Sequence, residues 1–239
     1  MTDMQNRDEA ARLYVIGDIH GRLDLLDLMI AAIHRDAKNT DDCLIVTVGD
    51  YIDRGPDSRG VLDRLQANPF PGRYVALKGN HEALLEEFLR DPAVGVHWRR
   101  VGGFETLHSY GVPVEPLMTG KNFEQAVEQL NAVLPPAHSQ FFGSLKTSLD
   151  CGKYFLCHAG IRPGVPFDLQ SEDDLLWIRE EFLESTADFG KLVVHGHTPT
   201  VEPEVRPNRI NIDTGAFATG RLTCVVLEDG RHRFLTAVQ

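Results

Sequence analysis

The residues of this sequence that are best suited to chemistry follow short apolar runs. Residues 49–55, Gly-Asp-Tyr-Ile-Asp-Arg-Gly, come directly after the apolar run 43–48 and bring two carboxylates and a guanidinium close together. Carboxylates bind hard or borderline divalent metals, and the planar, permanently charged guanidinium binds phosphate. A polar turn with a local Asp–Arg pair is the simpler interpretation, and this segment alone does not decide between the two.

Four other apolar runs have the same design. They lead into Gly-Asp-Ile-His-Gly at 17–21, Lys-Gly-Asn-His-Glu at 78–82, His-Ala-Gly at 158–160 and His-Gly-His-Thr-Pro at 195–199. Strand ends can meet at one rim of a sheet, where α/β proteins place their ligands, and glycine lets the backbone approach a ligand closely. Because all five ends carry Asp, Asn or His, the sequence indicates one shared polar site.

Together the five ends supply two carboxylates, one amide oxygen and three imidazoles: Asp18, His20, Asp50, Asn80, His158 and His197. Six side chains are too many for one metal with open positions, and they fit two metals that share Asp50. Two carboxylates against two divalent ions leave about two positive charges, which suit a phosphate dianion. Water bridging ions about 3.5–4 Å apart would be acidic enough to attack as hydroxide at neutral pH.

Other candidate residues have simpler interpretations. His195 could steer His197 from behind or be the ligand itself, and we favour His197 as the ligand. Asp213-Thr214-Gly215 resembles an aspartic-protease motif, but that chemistry needs two such carboxylates, so we predict a structural turn. Lys78-Gly79 lacks the glycine-rich run of a P-loop. Four histidines have no site context and are predicted to be surface or core residues: His34, His108, His138 and His232.

Composition limits the class of protein. The 239 residues are 42% apolar, so we expect one domain over 1–239 with an insertion at about 91–149. A net charge of −11 argues against a nucleic-acid partner. No apolar run has the length of a membrane span, so we expect a soluble cytoplasmic protein without a membrane partner. Four cysteines without a Cys-x-x-Cys pair predict buried, reduced thiols: Cys43, Cys151, Cys157 and Cys224.

Hydrophobic periodicity predicts strands alternating with helices, the α/β pattern. Strands are expected at 13–16, 43–48, 74–77, 151–158, 191–194, 209–212, 222–227 and 233–237, with a hairpin turn at Asp229-Gly230 before the last. Helices are expected at about 22–36, from Pro56-Asp57-Ser58 onward, and at 83–90 and 173–184. The insertion is expected to be mostly helical, with helices at 123–133 and 136–142, and residues 1–11 are expected to fray.

The five motifs, in this order, resemble the signature of the phosphoprotein phosphatase family of metallophosphoesterases, particularly its short bacterial and bacteriophage members. The resemblance extends from about residue 13 to residue 226. Trp98 with Gly102-Gly103, and Trp-Ile-Arg-Glu at 177–180, are also similar to the bacterial branch. Val101 departs from it, because many bacterial relatives have Asn before the two glycines, so a polar contact near the phosphate is not expected there.

This resemblance implies a calcineurin-like metallophosphoesterase fold of the α/β (α+β) class, a central β-sandwich flanked by helices with a dinuclear centre at one rim. It implies that the first metal is held by Asp18, His20 and Asp50, and the second by Asp50, Asn80, His158 and His197. It also implies His81 as general acid, oriented by Asp53, and Arg54 and Arg179 as phosphate-binding residues. The ligand set suits Mn²⁺ first, with Fe²⁺ or Zn²⁺ as alternatives.

Three functions are compatible with these residues. The first is hydrolysis of phosphomonoesters, above all phosphoserine or phosphothreonine in proteins, by direct attack of the bridging hydroxide. The second is a bis(5′-nucleosyl)-tetraphosphatase, which uses nearly the same motifs, and the insertion 91–149 would decide between the two substrates. The third is a metal-stabilised binding module, but a scaffold has no need of the acid and the phosphate-binding arginine implied at His81 and Arg54. The expected partner is a phosphorylated protein or a small phosphoester.

Overall fold

The computed structural model describes residues 10–40 and 42–239. The fraying predicted for residues 1–11 therefore lies outside the described residues, except at Ala10 and Ala11. The backbone amide of Ala11 donates a hydrogen bond to Oδ2 of Asp42 (3.0 Å). Within the described ranges, no helix combines the length and the hydrophobicity that crossing a membrane requires.

Ten strands and ten α-helices lie within the described residues. The strands are β1 Arg12–Ile16, β2 Cys43–Thr47, β3 Arg73–Ala76, β4 Ser148–Cys151, β5 Tyr154–Cys157, β6 Leu192–His195, β7 Glu204–Val205, β8 Arg209–Asn211, β9 Arg221–Glu228 and β10 Arg231–Val238. The helices are α1 Leu23–Asp36, α2 Ser58–Gln66, α3 Asn80–Arg90, α4 Gly95–Trp98, α5 Gly103–Ser109, α6 Phe123–Val133, α7 Pro136–Ser144, α8 Glu172–Trp177, α9 Glu180–Leu183 and α10 Ala216–Thr219. The predicted α/β class is confirmed.

The strands form two five-stranded sheets, in the orders β10-β9-β1-β2-β3 and β4-β5-β6-β8-β7. In the first sheet β1, β2 and β3 are parallel, and β9 and β10 continue it as antiparallel strands beyond β1. In the second sheet β5, β6 and β8 are parallel. Parallel strands end at the same edge, so the motif-bearing loops leave together, three from one sheet and two from the other.

The two sheets pack face to face because their strands are apolar on both faces. In β1, Leu13 and Val15 lie in the core between the sheets, whereas Tyr14 and Ile16 lie in the core beneath the outer helices. From the second sheet, Leu156 of β5 joins the core between the sheets. This alternation follows the two-residue period of a strand and confirms the predicted β-sandwich.

The chain between α3 and β4 is helical, as predicted for the insertion. Helix α6 has the predicted bounds, and α7 extends two residues beyond its predicted end. The strand predicted over 151–158 is present as β5 but is shorter, because Cys151 belongs to β4, which forms an antiparallel hairpin with β5. Gly152, with a φ of +64°, turns the chain between them. All four cysteines are buried and form no disulfide with one another, as predicted.

The prediction of one helix over 173–184 is wrong, because the segment forms two short helices. Ile178 and Arg179 interrupt it, the first with a ψ of 144° and the second with a φ of −132° and a ψ of −97°. Ile178 packs with Leu175 and Phe182 against the outer face of the second sheet. The interruption lets Arg179 reach the loop after β6, where its guanidinium donates to Oγ1 of Thr198 (3.2 Å).

We expect Gly49→Ala to destabilise the protein strongly. Gly49 has a φ of +105°, and a Cβ there would lie 2.4 Å from the amide nitrogen of Gly79. Left-handed strain and overpacking together should lower the free energy of unfolding by about 2–5 kcal/mol in urea denaturation. Gly111→Ala is the matched control, because Gly111 has a φ of +78° but no described atom within 4 Å of the added carbon. Equal losses in the two variants would contradict the close approach of the loops after β2 and β3.

Candidate functional site

The five motif-bearing loops meet at one rim of the sandwich, with Asp50 at the centre. Oδ2 of Asp50 lies 3.4 Å from Nε2 of His20 and 3.7 Å from Nε2 of His81, and Oδ1 lies 3.4 Å from Nε2 of His158. Two groups of potential ligand atoms overlap at Asp50: one with His20 and His81, the other with His158 and His197. Three of the ends come from the first sheet and two from the second, and they meet at one rim as expected.

The group around His158 directs acceptor atoms at one point. Nδ1 of His158 lies 2.9 Å from the carbonyl oxygen of Val48, so Nδ1 carries the proton and Nε2 the lone pair. This Nε2 lies 2.9 Å from Oδ1 of Asn80 and 3.2 Å from Nδ1 of His197. Nδ1 of His197 also lies 2.9 Å from Oδ1 of Asn80, so the three atoms converge on one point, which either an N–H of His197 or a bound cation can occupy. Burial lowers the pKa of His158, so its ring does not carry a second proton.

The group around His20 has a similar tautomer. Nδ1 of His20 lies 2.8 Å from the carbonyl oxygen of Ile52, which leaves the Nε2 lone pair facing Asp50. Asp18 is buried at the same rim, and its Oδ2 accepts a hydrogen bond from the backbone amide of His197 (3.0 Å). Its Oδ1 is buried without a hydrogen-bond partner among the described residues. The structure therefore places Asp18 beside the cluster, while His81 completes the tighter group with His20 and Asp50.

The imidazoles of His20 and His197 are neutral at pH 7. Burial lowers the pKa of His20 to about 3 and that of His197 to about 2. A neutral imidazole offers a lone pair to a metal without charge repulsion. Nε2 of His197 is buried and has no hydrogen-bond partner among the described residues. These rings are suited to coordinate a cation.

The carboxylates of the cluster concentrate negative charge in a buried space. Burial acts to raise the pKa of Asp50, but the imidazoles of His158 and His81 more than offset this, so that its pKa is lowered. The pKa of Asp18 is raised by burial and by the charges of Asp213 and Asp50. A bound cation would stabilise both carboxylates in their ionised forms. Carboxylate, amide and imidazole donors together fit a divalent metal.

Backbone strain is concentrated at this rim. Eight non-glycine residues in the described part of the chain have a positive φ, and five of them carry site side chains: His20, Asp50, Asp53, Arg54 and His197. Left-handed backbone is unfavourable for residues with a Cβ and persists where the surrounding structure determines it. The loops are therefore held in conformations that their own residues disfavour, which is typical of functional sites.

Glu82 holds two of these loops together, a role that the sequence interpretation missed. Its buried carboxylate accepts hydrogen bonds from the backbone amides of Asp50, Tyr51 and Gly79, each at 2.9 Å. The bonds to Asp50 and Tyr51 connect the start of α3 to the loop after β2. A Glu three residues after the N-cap position is one half of the capping-box signature, and this half was present in the sequence, whereas Gly79 has no side chain to supply the other.

His81 and Asp53 form a buried pair next to Asp50. Nδ1 of His81 lies 2.6 Å from Oδ2 of Asp53, and both side chains are almost fully buried. Burial lowers the pKa of His81, but the charge of Asp50 and the hydrogen bond to Asp53 outweigh burial and raise it above its usual value. With Nδ1 bound to Asp53, Nε2 of His81 is the position from which a proton can leave the ring toward the rim.

Arg54 lies across the two imidazoles of its side of the cluster. Its guanidinium nitrogens lie 3.1 Å from Nε2 of His20 and 3.0 Å from Nε2 of His81. Its Nε donates to the carbonyl oxygen of Val101 (3.3 Å), and its backbone amide donates to the carbonyl oxygen of Gly102 (3.1 Å). Val101, which was expected to lack a polar side-chain contact, thus contributes its backbone carbonyl. The insertion therefore orients Arg54 toward the ligand groups.

Two half-exposed aromatic side chains flank the site on opposite sides. The ring of Phe217 lies 4.7 Å from the Arg54 guanidinium carbon and 5.4 Å from the ring centre of His20. The ring of Trp177 lies 6.4 Å from that of His197, on the side where Arg179 also reaches the His197 carbonyl oxygen (3.5 Å). Trp177 and Phe217 are each 37% exposed, so both aromatic side chains are accessible from solvent beside the cluster.

The remaining candidates lie outside the cluster. His195 turns away from it, with Nδ1 3.0 Å from the Gly196 carbonyl oxygen and its ring edge against Phe182. Asp213 forms the predicted turn, because its Oδ1 accepts a hydrogen bond from the amide of Gly215 (2.8 Å). His138 is a buried core histidine, as predicted.

The calcineurin-like phosphoesterase family, compared as a sequence profile, matches residues 11–217. The chain belongs to this family. Its members are metal-dependent hydrolases, in agreement with the two ligand groups that overlap at Asp50. The resemblance inferred from the five motifs and the predicted calcineurin-like fold are therefore confirmed.

Relatives of this phosphoesterase carry two kinds of name. The serine/threonine-protein phosphatase 2 of Salmonella typhimurium is 29% identical over 234 residues, covering 91% of this chain and 94% of that protein. The bis(5′-nucleosyl)-tetraphosphatase PrpE of Anoxybacillus flavithermus is 27% identical over 238 residues, covering 88% of each. The crystal structure of a cold-active protein-tyrosine phosphatase from Shewanella has a TM-score of 0.61 and 16% identity, covering 95% of this chain and 80% of that one, which shows a shared fold.

We expect divalent metal to stabilise the phosphoesterase through Asp50. Mn²⁺ at about 100 times its Kd should raise the free energy of unfolding by about 2.7 kcal/mol per site, and EDTA should reverse the effect. Asp50→Asn should lose most of this gain, because both ligand groups share the carboxylate. His232→Asn, at an exposed histidine, is the control and should keep it. Thermal unfolding with and without Mn²⁺ measures the difference, and a full gain in Asp50→Asn would contradict the shared ligand.

Proposed function

We propose that this protein hydrolyses phosphomonoesters, above all phosphoserine and phosphothreonine in proteins. The observation that supports this most is the placement of Arg54 and His81. A guanidinium nitrogen of Arg54 lies 3.0 Å from Nε2 of His81, so a phosphate-binding group and the ring nitrogen that would carry the acid's proton are neighbours at the rim. His81 lies 3.7 Å from Asp50, the residue common to the two ligand groups, and Arg54 lies 3.1 Å from His20 of the same group. A binding module would need the ligands but not this pair.

The proposed metal ligands are those inferred from the motifs. Asp18, His20 and Asp50 would hold one ion, and Asp50, Asn80, His158 and His197 the other. When bound, two divalent ions supply positive charge for the phosphate and make water an effective nucleophile at neutral pH. We propose Mn²⁺ as the metal, because oxygen and imidazole donors suit it, with iron or zinc as alternatives.

The protein residues have distinct roles in this proposal. Arg54 and Arg179 bind phosphate oxygens from two sides and stabilise the charge that develops in the transition state. His81 donates a proton from Nε2 to the leaving alkoxide, and its raised pKa keeps it more fully protonated at neutral pH than a free imidazole. Asp53 selects the tautomer by accepting from Nδ1.

A second candidate function is hydrolysis of dinucleoside tetraphosphates. It is favoured by the relatives named bis(5′-nucleosyl)-tetraphosphatase, at 26–28% identity. It is also favoured by the half-exposed rings of Trp177 and Phe217, because aromatic side chains beside a phosphate site can stack on nucleobases. The relatives named serine/threonine-protein phosphatase 2, at 29% identity, favour the first function.

His81→Asn should lower kcat on a phosphoserine peptide by about 10²-fold or more, because the leaving alkoxide then receives no proton from the enzyme. The Mn²⁺-dependent gain in thermal stability should remain, since His81 is not a proposed ligand. His108→Asn makes the same change at an exposed histidine and should keep wild-type turnover. Steady-state kinetics with added Mn²⁺ measure both. Wild-type turnover in His81→Asn would remove His81 as the acid.

A comparison of substrates separates the two candidate functions. With Mn²⁺ added, we expect kcat/KM to be higher for a phosphoserine peptide than for a nucleoside monophosphate or diadenosine tetraphosphate. Release of phosphate or of nucleotide products, followed in parallel reactions, gives the three values. A higher kcat/KM for diadenosine tetraphosphate would favour the second function, and no hydrolysis of any of them would refute both.

A further inference from the structure

Two residues of the insertion hold the carboxylate of Asp53, which in turn binds His81. Oδ2 of Asp53 accepts a hydrogen bond from Nε1 of Trp98 (2.7 Å) in addition to the one from His81. Oδ1 accepts from Oγ1 of Thr106 (2.6 Å). Both carboxylate oxygens are therefore bound by donors outside the loop that carries Asp53, and the carboxylate is completely buried.

Thr106 also holds the backbone of Asp53. Its Oγ1 accepts a hydrogen bond from the amide of Asp53 (2.9 Å) and lies 3.0 Å from Oγ of Ser58. The single hydroxyl proton of Thr106 points to Oδ1 of Asp53. In its contact with Ser58, Thr106 is therefore the acceptor and the Ser58 hydroxyl is the donor. Asp53 has a φ of +71°, an unfavourable backbone conformation that such external hydrogen bonds maintain.

The Gly102-Gly103 pair makes room for these contacts. A Cβ on Gly103 would lie 2.4 Å from the indole ring of Trp98, and a Cβ on Gly102 would lie 2.5 Å from the amide nitrogen of Arg54. Trp98 is 1% exposed, with its ring centre 4.8 Å from that of Phe88 on α3. The indole is therefore confined by packing, and its N–H is aimed at Asp53.

We propose that Trp98 and Thr106 are positioning residues for the general acid, so that the insertion acts in catalysis through Asp53 and His81. This inference rests on the proposed function. Without these donors the Asp53 carboxylate could rotate, and the ring of His81 would follow it away from the leaving group. A displacement of about 1 Å in a catalytic group can cost about 10²-fold in rate.

Thr106→Val tests the proposal, because it keeps the shape of the side chain and removes the hydroxyl. We expect kcat on a phosphoserine peptide to fall about 10–100-fold, with a smaller change in KM. On p-nitrophenyl phosphate, whose leaving group departs without a proton, the fall should be less than about 3-fold. Thr106→Ser restores the hydroxyl and should recover most of the rate on the peptide. Trp98→Phe, which keeps most of the ring and removes the N–H, should show the same selective loss.

A second measurement distinguishes positioning from a general structural role. In a His81→Asn background, Thr106→Val should cause no further loss on the phosphopeptide, because the group that it positions is absent. Urea denaturation of each variant checks that the protein is folded under assay conditions. The selective loss and the non-additivity together would support the proposal.

Two outcomes would overturn the proposal. The first is an equal fall in kcat on both substrates in Thr106→Val and Trp98→Phe, or losses that add to the loss in His81→Asn. Either result would mean that Trp98 and Thr106 stabilise the fold and do not position the general acid. If the wild-type protein hydrolyses neither substrate with added Mn²⁺, the proposed function fails, and this inference fails with it. Hydrolysis of both by the wild type, with equal losses in the variants, would refute the inference alone.

Discussion

The site depends on one buried carboxylate, that of Asp50, at the rim where loops from the two sheets meet. Asp50 follows β2 of the first sheet, and its two oxygens face imidazoles from both sheets. Its backbone has a φ of +53°, and its amide is bound by Glu82 from the start of α3. A charge in this position is costly to bury unless cations or protonated groups surround it. The loops that converge on Asp50 therefore bring together the groups that compensate the buried charge of its carboxylate.

Close approach of the backbone is the second constraint. The loops after β2 and β3 come so near at Gly49 and Gly79 that a single Cβ would not fit, and the same holds between Gly102 and Arg54. Glycines at these positions allow side chains from separate loops to lie within hydrogen-bond distance of one another. Strain in the loops is tolerated because the strands below them pack into extensive buried apolar clusters.

Sequence interpretation succeeded where the signal was local. The apolar runs before Asp18, Asp50 and His158 and the glycines after them identified the strands and predicted that the side chains at their ends lie together. It failed where the determinant was distant. The order in which the strands pair within each sheet depends on contacts across the chain, and the interruption at Ile178-Arg179 lies in a pattern that is locally helical. The hydrogen bonds from Trp98 and Thr106 to Asp53 span 45 and 53 positions, so no short motif could contain them.

The central position of β1 has a consequence for how the chain folds. This strand lies between β2, which follows it closely, and β9, where Glu228 pairs with Arg12. One edge of β1 therefore stays open until β9 is available to pair with it. Pairings between such distant segments form slowly because of the entropy lost in closing a long loop. The first sheet, and the rim that it shares with the second, is thus completed only when the β9–β10 hairpin docks.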